Sequence, residues 1–383
     1  MTEQHTRPKF EFADGLRGLA ALAVAVLHAT TFTGRVGAVD DELPILGSIA
    51  RIGDYAVPVF IVLSGYVLTL PVFRGDGRTL RGGFWDYVRR RARRILPPYY
   101  ASLVLFIVLI ALIPVLQTRQ GTAWDNKIPV TLEGVLTHLL LIHIWNPEWA
   151  YQINGPAWSV ATEWHIYFLL PLALLPLRRL IGVWGTIAVA LMLGPAITYF
   201  LPTTTSGRYW LIGLFALGML AASLTIRPPR LRTGWLSVIV LVTTLAWTTV
   251  NRPDALPERM IADTMVGVGV ALALIAMGTA SMRSRMNPGR RVFEWRPLVN
   301  TGLWSYSIYL IHSPLLALAN LLLIPLALPT LAHWLSMVFV ALPLALVASY
   351  GFFLLVERHF TTSHQKRELG MKQEPAESSS GTR

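Results

Sequence analysis

The stretch LRGLAALAVAVLHATTF, residues 16–32, decides the fold class of this 383-residue chain. An apolar helix of about 20 residues crosses the hydrocarbon core of a bilayer, and the stretch approaches that length. Two ionisable side chains, Arg17 and His28, interrupt it eleven positions apart. Eleven positions exceed three helical turns by roughly 20°, so both side chains share one face, about 16 Å apart. The stretch predicts a membrane helix with a polar face.

Ionisable side chains inside a membrane helix are costly and usually serve a function. On that interpretation, Arg17 and His28 line a tunnel that crosses much of the bilayer. The alternative is that Arg17 only sets the topology and His28 only bonds a neighbouring carbonyl group. Asp14, just before them, either caps the start of the helix or acts directly in the site.

The composition indicates a polytopic membrane protein, because 54% of the residues are hydrophobic and only 14% are charged. The absence of cysteine excludes disulfides, thiolate metal sites and cysteinyl acyl-enzymes. No metal-binding spacing such as HExxH occurs, so no metal is expected. The net charge of +12 lies mainly between apolar runs, where it reports orientation in the membrane and not binding of nucleic acid.

Hydropathy and loop charge together predict the topology. A further apolar segment, 134–145, is too short to span untilted and carries His138 and His143. If it spanned, the later basic loops would lie outside, which the positive-inside rule disfavours. We therefore expect an all-α protein with about ten transmembrane helices and both termini in the cytoplasm. The ten candidate spans are 16–33, 54–72, 97–117, 158–177, 182–201, 209–226, 234–250, 261–281, 298–325 and 333–356.

The chain divides into a membrane domain, residues 1–360, and a polar segment, 361–383. The polar segment has no apolar period and is predicted to be a disordered cytoplasmic tail. Most of the basic residues are arginine, which, with the richness in Ala, Gly and Pro, is typical of a GC-rich bacterial genome. We expect a multi-pass protein of the bacterial inner (cytoplasmic) membrane, in contact with membrane lipid.

An arginine cluster lies in FWDYVRRRARRILPPYY, residues 84–100. Such a cluster beside a span is either a topology anchor held by anionic headgroups or a phosphate site, since guanidinium groups bind phosphate through paired hydrogen bonds. The sequence leaves these two interpretations equal. The second would suit a nucleotide such as the adenosine diphosphate part of coenzyme A.

Two further stretches add polar side chains to predicted spans. In PAWSVATEWHIYFLLP, residues 156–171, Ser159 and Glu163 share one helix face. We expect Glu163 to hydrogen-bond His28 and set its tautomer, and Trp158 to belong at least partly to an interfacial aromatic belt. In WSYSIYLIHSPLL, residues 304–316, Tyr309 and His312 share a face. His312 is predicted to contact the catalytic residues and not to react itself.

Together these stretches resemble the acyltransferase-3 family of integral membrane acyltransferases. The resemblance covers nearly the whole chain up to about residue 360. It rests on the family's Arg–ten residues–His pattern at Arg17 and His28, VFIVLSGY with Ser64–Gly65, the RxxR–I–L–P element at Arg91, Arg94 and Pro97, WSxxxE at Trp158, Ser159 and Glu163, and SYxIYLIH at Ser305–His312. The familiar E-R-P-F appears as ERHF, with His359 in place of Pro.

The resemblance implies transfer of an acyl group, usually acetyl, from a cytoplasmic acyl-CoA donor to a hydroxyl acceptor. Family acceptors are carbohydrates of the envelope, glycolipids or secreted small molecules, and no tightly bound cofactor is expected. Some members carry a fused extracytoplasmic hydrolase-like domain, and no stretch of this chain is expected to form one. The predicted donor site is Arg17, Arg91 and Arg94, the predicted catalytic residues are His28 and Glu163, and the supporting residues are Asp14, Ser64, Trp158, Ser159, Tyr309 and His312.

The order of the chemical steps stays open at this point. His28 would act as a general base on the acceptor hydroxyl or would carry the acyl group itself. Tyr309, His312 or Ser64 would help to bind the oxyanion. A rival from another class is a transporter or flippase that uses Arg17, His28 and Glu163 as a proton relay. The lack of a visible inverted repeat speaks against that rival.

Overall fold

The computed structural model describes residues 10–75, 79–253 and 255–361. Helices and turns make up this part of the chain, in which no strand occurs, and the prediction of an all-α fold is confirmed. Eight helices within these ranges are long and apolar enough to cross a membrane. The expected tail lies, from residue 362 onward, outside the described residues, and the division into domains stays a prediction.

The α-helices are, in chain order, α1 (Glu11–Thr31), α2 (Ala38–Glu42), α3 (Pro44–Ala50), α4 (Ala56–Arg74), α5 (Gly83–Leu112), α6 (Leu132–Leu139), α7 (Pro147–Ala150), α8 (Ala157–Leu169), α9 (Leu175–Phe200), α10 (Leu211–Ile226), α11 (Thr233–Asn251), α12 (Leu256–Met282), α13 (Pro288–Phe293), α14 (Arg296–Leu303), α15 (Ser305–Leu323), α16 (Thr330–Ser336) and α17 (Leu342–Leu355). A π-helical turn, Leu170–Leu174, joins α8 to α9. A second one, Met337–Ala341, joins α16 to α17. Tighter 3₁₀ turns are Arg51–Tyr55, Pro114–Gln117, Asp125–Lys127, His143–Trp145, Pro202–Gly207, Ile324–Leu326 and Glu357–Phe360.

The eight long helices contain nine of the ten predicted spans. The run Ala157–Phe200 has 44 residues, about 66 Å at 1.5 Å per residue, which is roughly twice the hydrocarbon thickness. Gly182 interrupts it with φ 72° and ψ 177°, so the run consists of two spans. The shorter apolar helix Leu211–Ile226 supplies the tenth. The prediction of about ten helices is confirmed, whereas the orientation of the termini stays a prediction.

Residues 113–156, here called the cap, contain no helix long enough to span. Within the doubtful segment 134–145, α6 ends at Leu139 and a short 3₁₀ turn follows, so this segment does not cross. Hydrogen bonds fix the cap to the bundle. The Tyr99 hydroxyl donates to the His138 carbonyl at 3.0 Å, and the Asn154 amide donates to the Leu310 carbonyl at 2.8 Å. The cap therefore covers one end of the helices that carry the polar residues.

Helices α4 and α10 pack backbone against backbone. A Cβ added to Gly65 would lie 2.1 Å from the Phe215 carbonyl oxygen, and one added to Gly218 would lie 2.0 Å from the Val62 carbonyl oxygen. Small residues permit such close contact between membrane helices. The Ser64–Gly65 pair of the sequence motif thus has a packing role, because Gly65 faces α10 and leaves its neighbour Ser64 in the wall of a cavity.

Candidate active site

A narrow cavity opens among α1, α4, α5, α8 and α15. Its volume is about 100 Å³, whereas sites for drug-sized ligands enclose about 300–1,000 Å³. It therefore suits a thin chain better than a bulky ring system. The lining consists of Arg17, Val57, Phe60, Ile61, Ser64, Val67, Leu68, Arg91, Arg94, Ile95, Ser159, Val160, Glu163, Tyr167, Ser305, Tyr306 and Tyr309.

Three arginines line the cavity, Arg17, Arg91 and Arg94, and the charges of Arg17 and Arg91 act on Arg94. We call this part of the cavity the arginine end. Arg91 and Arg94 are three positions apart on α5, so one helix face carries both. Arg93 between them is exposed, as are Arg89 and Arg90. The helix thus separates the five arginines of the cluster into two that line the cavity and three that do not.

Asp14 holds Arg17 in place. The Arg17 Nη1 donates to the Asp14 carboxylate at 2.8 Å, and Asp14 is 6% exposed. Helix α1 begins at Glu11, and its N-cap residue, Phe10, makes no side-chain capping bond. The capping interpretation of Asp14 was therefore wrong, because the helix starts a full turn earlier. The carboxylate acts on Arg17 instead.

Glu357 adds a buried acid to the arginine end. Its carboxylate accepts hydrogen bonds from the Ser307 backbone N–H at 2.9 Å and from the Ser307 hydroxyl at 2.5 Å. Burial raises the pKa of the Glu357 carboxyl to about 7, although the bonds to Ser307 and the charge of Arg94 oppose that rise. The sequence analysis noticed Glu357 only as part of ERHF. The position of Glu357 directly after an apolar span was the sequence signal that this acid could be a buried partner of another polar group.

Ser64, Glu163 and Tyr167 form the polar wall of the cavity. The Ser64 hydroxyl donates to the Glu163 Oε1 at 2.6 Å, and the Tyr167 hydroxyl donates to the same oxygen. The predicted hydrogen bond from Glu163 to His28 was wrong. Glu163 faces α4 across the cavity, so its hydrogen-bond partner is the hydroxyl of Ser64. Tyr167, four positions after Glu163 on the same face, was missed by the sequence analysis.

Ser159 and Tyr309 meet in another part of the cavity wall. The Tyr309 hydroxyl donates to the Pro156 carbonyl at 3.1 Å and lies 2.5 Å from the Ser159 hydroxyl. The Ser159 hydroxyl also donates to the Pro156 carbonyl, at 3.4 Å, so both hydroxyls converge on the same acceptor. Trp158 is buried, and the Arg208 guanidinium lies 4.6 Å from its ring centre. Its predicted place in an interfacial belt was wrong, because the ring is buried within the protein against Arg208.

His28 and His312 are direct partners. The His28 Nδ1 lies 2.8 Å from the His312 Nε2, and the His312 Nδ1 lies 2.6 Å from the Ile308 carbonyl oxygen. Since the carbonyl only accepts, the His312 Nδ1 carries a proton, and a neutral His312 accepts at Nε2. The His28 Nδ1 must then donate. This network assigns the free lone pair to the His28 Nε2, which is the nitrogen that can accept a proton.

The cavity brings together most of the predicted donor-site and catalytic residues, but not the two histidines. Its lining contains the three arginines, Ser64, Ser159, Glu163 and Tyr309, whereas Asp14, Trp158, His28 and His312 lie outside it. The part of the predicted tunnel that would lead from Tyr309 to His28 stays a prediction. The His312 ring centre lies 6.3 Å from that of Tyr309, which lines the cavity. We call Tyr309 with the His28–His312 pair the histidine end.

Comparison with known proteins supplies a family match. The acyltransferase-3 family model, described as an acyltransferase domain, matches residues 10–350. The chain is similar to acyltransferase MdmB of Streptomyces mycarofaciens, with 28% identity over 323 residues that cover 78% of this chain and 76% of the relative. It is also similar to the peptidoglycan O-acetyltransferase OatA of Listeria monocytogenes, with 24% identity over 354 residues, 83% of this chain and 51% of the relative.

The chain thus spans about half the length of the Listeria relative. No solved structure matches the chain.

Proposed function

The chain belongs to the acyltransferase-3 family, and from that premise we propose the donor, the acceptor and the sidedness of its reaction. The protein is a multi-pass membrane O-acyltransferase. Its proposed donor is an acyl-CoA, with acetyl as the acyl group, taken from the cytoplasm of a bacterial cell. Its proposed acceptor is a hydroxyl of an envelope carbohydrate, a glycolipid or a secreted small molecule. The name of the Listeria relative supports acetyl transfer to a carbohydrate hydroxyl.

The observation that carries the proposal is the narrow cavity with three arginines at one end and the histidine pair beside the other. Guanidinium groups make strong charge-assisted hydrogen bonds to phosphate. In the proposal, the diphosphate part of CoA binds at the arginine end, and the thin pantetheine arm enters the cavity. The rise from Arg17 to His28, about 16 Å, supports delivery of the thioester to the neighbourhood of Tyr309 and His28.

In the proposed reaction, His28 is the general base. Its Nε2 takes the proton of the acceptor hydroxyl while the acceptor oxygen bonds to the thioester carbonyl carbon. The carbon–sulfur bond then breaks, and the proton returns from His28 to the sulfur of CoA. His312 holds the tautomer that this step needs. General-base catalysis of this kind contributes about 10²–10⁴ in rate.

The test uses purified protein in detergent with acetyl-CoA and a thiol reagent that detects free CoA. Water serves as the acceptor, since hydrolysis passes through an analogous tetrahedral intermediate in which water replaces the acceptor hydroxyl. We expect release of CoA above that of a boiled sample. Release at the level of the boiled sample would contradict the acyl-CoA donor and would favour the transporter that the sequence analysis left as the rival.

A further inference from the structure

Lys127 is a buried cation in the cap. The residue is 8% exposed, and burial lowers the pKa of its ammonium group to about 8. No carboxylate within the described ranges compensates its charge. A buried charge without an opposite partner costs free energy that an apolar residue would not. Packing alone does not explain why a charged residue occupies this buried position.

The lysine is held in a fixed position. Its backbone carbonyl accepts from the Ile153 N–H at 3.1 Å, and its own N–H donates to the Trp124 carbonyl at 2.8 Å. The side chain passes so close to Gly155 that a Cβ there would lie 2.6 Å from the Lys127 Cε. The next residue, Pro156, accepts the hydrogen bond of Tyr309. Lys127 therefore lies against the turn that also positions the histidine end.

The ammonium group has a donor to spare. Lysine has three N–H donors, and the Lys127 Nζ donates to the Ala123 carbonyl at 3.3 Å and to the Asn126 Oδ1. These are its two hydrogen-bond acceptors in the described part of the chain, which leaves one N–H. Lys127 packs against Gly155, the neighbouring Pro156 accepts from Tyr309, and the Tyr309 ring centre lies 6.3 Å from that of His312, the partner of His28. A preorganised cation at the histidine end is the arrangement that stabilises a developing oxyanion.

We propose that the Lys127 ammonium group stabilises the negative charge that forms on the acyl oxygen during transfer, and so completes the site around His28. This inference rests on the proposed function. As the nucleophile oxygen bonds to the thioester carbon, the carbonyl electrons move to the acyl oxygen, which accepts a hydrogen bond from the Lys127 Nζ. They return when the carbon–sulfur bond breaks, and Lys127 keeps its proton throughout.

The first test is Lys127→Met, which keeps the apolar stem and removes the charge. We expect kcat for CoA release from acetyl-CoA to fall by about 10²–10³, with the KM for acetyl-CoA within about twofold of wild type. Arg119→Met is the matched control, because Arg119 is an exposed cation of the same cap. Size-exclusion chromatography and thermal unfolding in detergent verify folding.

A second variant displaces the ammonium group without removing it. Gly155→Ala places a methyl group within 3.2 Å of the Lys127 Nζ and 2.6 Å of its Cε. The flexible end of the lysine moves more cheaply than the backbone, so the fold should survive. We expect a fall in kcat of at least about tenfold, again with an unchanged KM.

The pH dependence adds a readout that a purely structural lysine would not move. The titratable groups that face Lys127 are His28 from α1 and Tyr151 from the cap, whose ring centre lies 5.7 Å from Nζ. Wild-type kcat should fall above pH about 8, where Lys127 loses its proton. Lys127→Arg should keep its remaining activity at alkaline pH, because guanidinium stays charged. Tyr151→Phe should leave the alkaline fall in place.

The outcomes separate the two proposals. If wild type releases CoA and folded Lys127→Met and Gly155→Ala both match it within twofold, the role of Lys127 is refuted and the proposed function stands. Equal losses in Arg119→Met, or an alkaline fall unchanged in Lys127→Arg, would also refute it. If wild type releases no CoA, the proposed function fails, and the role of Lys127 fails with it.

Discussion

The two ends of the cavity differ in the kind of charge that they are suited to stabilise. The arginine end gathers three guanidinium groups, with the Asp14 carboxylate bonded to Arg17 and the buried Glu357 carboxyl near Arg94. The histidine end contains two imidazoles joined by one hydrogen bond, in which His28 donates to His312. The ammonium group of Lys127 belongs to the same end. The first arrangement suits an anion that is bound before the reaction and after it. The second suits a charge that exists only during the reaction.

This difference teaches that binding and chemistry lie in separate places. Interactions that are equal in the ground state and the transition state change KM, whereas those present only in the transition state change kcat. Substitutions at the arginine end should therefore change the affinity for the donor. Substitutions at the histidine end should change turnover. The following predictions test that division, in order of decreasing effect.

The largest effect is expected from His28→Ala. Removal of the proposed base should lower kcat for CoA release by about 10²–10⁴, while calorimetric titration shows the Kd for acetyl-CoA within about twofold of wild type. His359→Ala is the control, since His359 is exposed beyond the last helix. A folded His28→Ala protein with more than a tenth of wild-type activity would exclude His28 as the base.

The next effect is expected from the double change Arg91→Gln and Arg94→Gln. Two lost charge-assisted interactions, each of about 1.5–3 kcal/mol, should raise the KM for acetyl-CoA by at least about 10², with a smaller change in kcat. Arg93→Gln removes the same charge from the same helix at an exposed position, so its KM should stay near that of wild type. An equal rise in KM for Arg93→Gln would mean that the cluster acts only through its total charge.

His312 should contribute less than His28, because it acts through its partner. His312→Ala should lower kcat by about tenfold, the free energy of one hydrogen bond at about 1.4 kcal/mol. His312→Gln offers a carbonyl oxygen to the His28 Nδ1 and should recover most of that loss. If both variants lose the same activity, His312 contributes packing and does not set the tautomer.

Glu163→Gln should have a modest effect, below about tenfold. The glutamine oxygen can still accept from Ser64 and Tyr167. The pH–rate profile of kcat/KM should keep its position on the pH axis, because Glu163 is not the hydrogen-bond partner of His28. A displaced profile in the folded variant would restore the pairing of Glu163 with His28 and contradict the geometry.

The smallest effect concerns stability. Glu357 has a pKa of about 7 in the folded protein against an ordinary 4.5, so the folded state binds its proton more tightly. Its stabilising contribution is complete below pH about 4.5 and is lost as the pH rises to about 7. Between pH 5 and pH 8, the Tm in detergent should therefore fall more for wild type than for Glu357→Gln. Glu148→Gln, at an exposed position of the cap, should behave like wild type.

The sequence predicted the fold well because hydropathy and loop charge act locally along the chain. The separation of the spans 158–177 and 182–201 and the non-spanning segment 134–145 both followed from such local signals. The sequence also predicted which residue types form the site. Arg17, Arg91 and Arg94 meet as expected.

The pairings within the site were not predictable in the same way. Helical periodicity shows which residues share a face of one helix, but it does not show which helices are neighbours. Glu163 was assigned to His28, whereas its partner is Ser64, 99 positions away along the chain. His28 instead contacts His312, 284 positions away. Lys127 was overlooked because it lies in a short turn with no apolar period around it.

The contact between Gly65 and Gly218 restricts how the cavity can change shape. Two helices whose backbones touch have no side chains between them that could repack, so α4 and α10 can move only as one rigid body. Ser64 is fixed to that body, and with it one wall of the cavity. Widening of the cavity for a donor must therefore come from the other helices that line it, α1, α5, α8 and α15. The polar side chains of these helices move when the cavity widens, while the wall that contains Ser64 keeps its position.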